Sequence, residues 1–122
     1  MEFERVDDLI VIGRYHDEKP ITSETARELV RLRKEYTNNE LCKLIIVFPK
    51  LNNMDKSGRD YLSSEDAKEG ILASAMVTNS VLGRAIINFF LKLNNSGKAD
   101  FPSKVFNTEQ EAIQWIKEIN VF

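Results

Sequence analysis

One cysteine and one histidine occur in this 122-residue chain. Cys42 alone cannot close an internal disulfide or supply a cysteine-based metal site, and it reads as a reduced, partly buried thiol of a cytosolic protein. An excess of either charge is missing as well: 17 basic residues stand against 19 acidic ones, a formal net charge of −2. Without a broad basic field nothing holds a phosphate backbone, so nucleic acid is not an expected partner. No window approaches the roughly eighteen consecutive apolar residues of a membrane span, and no membrane insertion is expected. The opening MEFERVDD is acidic and has no apolar run, so no signal peptide is expected and the cytoplasm is the expected compartment.

Phosphate-cradling glycine patterns are also absent. GRYHDEKP follows the first apolar strand, where a dinucleotide site needs G-x-G-x-x-G, and no G-x-x-x-x-G-K-[ST] occurs. A phosphate-receiver site needs an acidic pair after one strand and an Asp at the end of a central one. Only Asp17 and Glu18 follow LIVIGRY, Asp7 and Asp8 precede it, and IIVF runs into Pro49. His16 reads as a loop or surface residue and Cys42 as a small hydrophobe at a strand start, with no catalytic pattern around either. The acids are scattered along helix faces instead of clustered as oxygen ligands. No catalytic residue, cofactor or metal is therefore expected.

What is present is a folding pattern. The 43% apolar and 30% charged composition is that of a folded globular chain, and the length suits one domain over residues 1–122. LIVIGRY (9–15), KLIIVFP (43–49), ILASAMVT (71–78) and FPSKVFN (101–107) read as strands, with EFERV as a further edge strand and Pro102 marking a sheet edge or strand end. Between them run helices. One starts at Thr22 or Ser23, buries Ala26, Leu29, Val30 and Tyr36, and carries Glu28, Arg31 and Glu35 as an ion-pair face. A short one covers 57–70, the strongest covers 81–94 behind Ser80, and the last opens with Thr108 and Glu111 in capping-box spacing. This βαβαβαβα order predicts a single α/β domain: a mainly mixed or parallel sheet of four or five strands with about four helices.

The segment Met54-Asp55-Lys56-Ser57-Gly58 resembles the M-D-S-S-G segment of the STAS domain, the domain of sulfate transporters and anti-sigma factor antagonists. In that family the segment follows a central strand and opens a helix, and its first serine accepts the phosphate. Lys56 stands at that position here, while Ser57 matches the second serine, so the resemblance implies no serine-phosphate switch of the usual form. Over most of the chain, the Val77-Thr78-Asn79-Ser80 corner, Arg84, Asn88-Phe89-Phe90-Leu91, Glu111-Ala112 and Trp115 are similar to small bacterial proteins described as STAS-like, in part also as lipid-carrier-like. That likeness implies a mixed sheet covered by helices, often a dimer, and no established activity.

From the residues themselves, Ser57 is expected to cap its helix. Asp55, Lys56, Ser57 and Arg59 form the expected recognition loop. In 81–94, Leu82, Ile86, Phe89, Phe90 and Leu93 are expected to form the buried stripe, with Arg84, Asn88 and Lys92 opposite. Ile87 and Leu91 border that polar stripe; either neighbouring segments cover them, or Arg84, Ile87, Asn88 and Leu91 form a contact surface for another chain. The expected function is a non-enzymatic regulatory or protein-interaction module, with a protein partner or a homodimer. The alternative is a carrier of a small apolar ligand or lipid.

Overall fold

β-branched runs alternate with capped amphipathic helices along the chain, and they assemble into one five-stranded mixed sheet. The structure, a computed structural model, describes residues 1–16, 19–48, 50–51, 53–94 and 101–120. Asp17, Glu18, Pro49 and the turn-rich segment 95–100 lie outside these residues. β1 (Glu2–Arg5) is the antiparallel edge strand, paired to β2 (Ile10–Arg14). β3 (Cys42–Val47), β4 (Ile71–Val77) and β5 (Ser103–Phe106) then add in parallel, in chain order. The α/β architecture is therefore the expected one, with Pro102 just outside the edge strand β5.

Because strand side chains alternate, each face of the sheet takes every second residue. Ile10, Ile12, Ile45, Val47, Ala73, Ala75 and Val77 pack against Ala112 and Ile116 of α5 (Glu109–Glu118). The opposite face meets α1 (Ser23–Thr37), α2 (Lys56–Leu62) and α4 (Val81–Asn94), where Phe48, Leu51, Met54, Ile87 and Phe90 form the second core. Both faces are covered, which explains why β3 and β4 are apolar at nearly every position.

The caps follow local chemistry. Thr22 Oγ1 accepts from Thr25 N–H at 3.3 Å, and Thr108 Oγ1 accepts from Glu111 N–H at 3.2 Å while donating to the Glu111 carboxylate at 3.0 Å. The expected helix over 57–70 is instead two helices. α2 ends at Leu62, with Ser63 as its C-cap, and Ser64 caps α3 (Glu65–Lys68) by accepting from Ala67 N–H at 3.3 Å, because paired serines compete with the helix for its own backbone groups.

Two buried cations were not anticipated. Arg33, expected on no face in particular, is 3% exposed and donates to the carbonyls of Ala67 and Glu69, both at 3.0 Å. Lys43 in β3 donates to Ile116 O at 2.9 Å and Ile119 O at 2.6 Å. Each closes the C-terminal end of a helix, where unpaired carbonyls concentrate negative charge. Tyr36, expected in the core, lies at its margin and stacks on Phe3 with ring centroids 5.1 Å apart.

Candidate functional site

The sequence points to two places, the start of α2 and one face of α4. At the first, Asp55 is the cap: its Oδ1 accepts from Gly58 N–H at 2.8 Å and from the Ser57 hydroxyl at 2.7 Å. The Ser57 hydroxyl, and after it the Gly58 N–H, hold the Asp55 carboxyl below its ordinary pKa. Ser57 thus does not cap α2. The helix starts one residue earlier than expected, and Asp55, as good a cap as serine, takes the role. Ser57 Oγ accepts from Ser23 N–H at 3.0 Å, which ties the first turn of α2 to the first turn of α1.

The loop is anchored from below. Ile21 N–H donates to Asn53 O at 2.9 Å and Asp55 N–H to Ile21 O at 3.1 Å, so the chain before α1 and the chain before α2 run as a short parallel bridge. Lys56 pairs with Asp60 one turn on, at 2.8 Å. Arg59 donates to Met54 O at 3.0 Å, and its guanidinium lies 5.4 Å from the centre of the Phe89 ring. The structure therefore joins the loop to α4 through Arg59, a contact that sequence spacing does not contain.

The Asp55 assignment has a simple check. Asp55→Ala is expected to lower the denaturation midpoint, Asp55→Asn to retain most of it, and Ser57→Ala to fall between wild type and Asp55→Ala. Urea melts monitored by circular dichroism decide the order; Ser57→Ala as the most damaging change would return the cap to Ser57.

α4 starts where Ser80 Oγ accepts from Gly83 N–H at 3.1 Å, behind Thr78 Oγ1, which accepts from Ser80 N–H at 3.3 Å. Its orientation differs from the expected one. Ile87 is fully buried, and Leu91 and Phe90 are buried with it, whereas Val81, Leu82 and Phe89 are 88%, 56% and 53% exposed. Leu82 and Phe89 are thus not core residues, and Ile87 and Leu91 are not a contact surface; neighbouring segments cover them. Leu93 lies outside the described side chains. Of the expected surface, Asn88 is exposed, and half-buried Arg84 donates to the Asn107 side chain, tying α4 to the turn after β5.

Gly83 explains the phase. A Cβ there would meet Thr78 Oγ1 at 2.8 Å and Leu51 Cβ at 3.4 Å, so the helix rests on its glycine. Residues three, four, seven and eight positions later, Ile86, Ile87, Phe90 and Leu91, then turn inward with it. The helix is apolar on nearly every side, so hydrophobicity alone leaves its rotation open, while the glycine marks the side of closest approach.

The groups that could do chemistry are elsewhere. Cys42 is fully buried, and burial raises its thiol pKa, with Arg33 opposing more weakly, which favours the neutral thiol over the nucleophile. His16 sits 3.5 Å from Glu2 at an exposed edge. Among the described residues no cluster of three or more His, Cys, Asp or Glu is placed to hold a metal ion, and no helix is long and apolar enough to cross a membrane.

Residues 3–120 match a family described as Domain of unknown function (DUF7793), and the chain belongs to that family. No curated protein matches the chain significantly.

Proposed function

We propose that this domain is a non-enzymatic regulatory or protein-interaction module of the cytoplasm, and that its contact surface is the outward face of α4 with Arg59 at its border. One observation carries the reading: Val81, Leu82 and Phe89, three large apolar side chains, stand exposed on one side of a single helix. Burying such a side chain gains about 1.5–3 kcal/mol before association costs, so a partner with a complementary apolar face is favoured. Arg59 over Phe89 adds an aromatic–guanidinium pair of the kind that concentrates binding energy at interfaces. The polar groups of the STAS-resembling loop support regulation by contact more than catalysis, since Asp55 and Ser57 are engaged in joining α2 to α1. A cytoplasmic setting suits the unpaired buried Cys42.

The first partner to test is a second copy, because in a two-fold pair each exposed side chain counts twice. Light scattering coupled to gel filtration is expected to give a dimer for wild type and a monomer for the double variant Leu82→Glu, Phe89→Glu, with the circular dichroism spectrum unchanged and the melt still cooperative. A wild type that stays monomeric at its highest soluble concentration ends the self-association reading. A double variant that unfolds ends the surface itself.

A further inference from the structure

The sheet face covered by α1, α2 and α4 is incompletely filled. A partly open cavity of about 110 Å³ lies between α1 and α4, floored by Leu44, Ile46 and Met76 and walled by Leu29, Phe90 and Leu91. Its origin is a set of small side chains. Ser74 and Ser103 are register partners on β4 and β5, and Ala67 of α3 faces the same space, where a leucine or isoleucine would fill it. Ser74 is 5% exposed, so its hydroxyl sits on the cavity floor and not on the surface. The cavity is therefore apolar along most of its length, with hydroxyls on two neighbouring strands at one end.

The geometry points to a binding site for a compact neutral molecule: a single ring or short chain with one hydroxyl or carbonyl group, its apolar body between Phe90 and Met76 and its polar group at Ser74 and Ser103. Size selects the class. An engineered apolar cavity of about 150 Å³ stays dry and takes up benzene or xenon, so a space of this order accepts one ring and not a lipid. The serine hydroxyls select the polar end, because each can donate or accept while an apolar body alone leaves them without a ligand partner. Arg33 and Lys68 also border the space, but the Arg33 guanidinium donates to the Ala67 and Glu69 carbonyls and Lys68 already has a partner, which leaves recognition of the polar end to the serines. The site is distinct from the α4 outward face and does not depend on it.

Phenol, benzene and dodecanoate are suitable probes, titrated into the isotope-labelled full chain while the methyl resonances of Leu44, Ile46, Met76 and Leu91 are followed. Phenol is expected to give saturable shifts there, with a Kd on the order of millimolar, as befits so few atoms. Ser74→Val should weaken phenol several-fold and leave benzene unchanged, while Ser74→Leu should abolish both. Absence of methyl shifts with phenol and benzene in wild type overturns the site, as does undiminished phenol binding by folded Ser74→Leu. Should Ser74→Leu not fold, the ratio of phenol to benzene affinity in Ser74→Val decides the matter: an unchanged ratio sinks the assigned polar end. Dodecanoate shifting the same methyls more tightly than phenol would overturn the size argument. The Leu82→Glu, Phe89→Glu variant must bind phenol as wild type does, so failure of the interaction surface and failure of this site remain distinguishable.

Discussion

Ile87→Glu is expected to abolish the cooperative fold. Ile87 has no exposed surface and packs in the cluster that contains Phe48, Leu51, Met54 and Phe90. A carboxyl there is surrounded by apolar side chains, and burying it among them costs several kcal/mol whether it stays charged or takes up a proton. Loss of the isoleucine contacts adds to this, and the sum, about 5 kcal/mol or more, is comparable with the whole stability of a small domain. The penalty has a pH signature. Burial raises the folded-state pKa of the introduced carboxyl above its unfolded value of about 4.3, so folding takes up a proton. The ionisation part of the penalty is absent below that unfolded pKa and grows as pH rises towards the folded one. Circular dichroism and urea melts at acid and neutral pH would show both effects. Leu82→Glu, five positions earlier on the exposed side, should leave the fold of the monomer within about 0.5 kcal/mol of its wild-type stability, apart from any loss of dimer association. A cooperative Ile87→Glu melt near that of wild type would mean that α4 is rotated from the orientation described.

Gly58→Ala is expected to destabilise the domain by about 2 kcal/mol, against the ordinary preference of helices. In a helix that touched nothing, alanine would be better than glycine by about 1 kcal/mol. Here the added Cβ would sit 2.2 Å from Ile21 O and 2.9 Å from Ile21 C. Both are backbone atoms, so no rotamer change relieves the contact, and α2 must back away from the chain that precedes α1. That movement strains the Asp55 N–H to Ile21 O bond and the Ser57 link to Ser23. Overpacking of this severity costs about 3 kcal/mol, which outweighs the propensity gain. With a urea m-value of about 2 kcal/mol/M, the midpoint should fall by roughly 1 M. The sign is decisive: a raised midpoint would show that α2 is not seated on Ile21. The glycine of the Met54–Gly58 segment therefore has a physical reason independent of any phosphate chemistry, namely the approach of two backbones.

Ser57 is exposed, yet its hydroxyl is shared between the Asp55 carboxylate and the Ser23 amide, so it acts in the joint between α1 and α2. Arg59, the last of the expected loop residues, is the one that reaches α4. The 55–59 loop and the exposed side of α4 are thus neighbours, and under the proposed function a partner seated on Phe89 would meet Arg59 in the same contact.

Local chemistry determined much of this protein from sequence alone. Apolar runs of strand length, helical spacing in 23–37 and 109–118, and side-chain caps at Thr22, Ser80 and Thr108 are short-range properties, so the element order and α/β class could be read without coordinates. Contacts between distant segments decided the rest. Arg33 and Lys43 look like surface cations until α3 and α5 bring bare carbonyls to them. Gly58 looks permissive until Ile21 lies against it, and Asp55 and Ser57 are equally good caps until the helix start is placed. The rotation of α4 is the clearest case. Apart from the narrow stripe of Arg84, Asn88 and Lys92, valine, leucine, isoleucine and phenylalanine lie around that helix, so burial is favourable on several faces. The fit of Gly83 against Thr78 and Leu51 selects one of them, leaving Leu82 and Phe89 in solvent and Ile87 in the core.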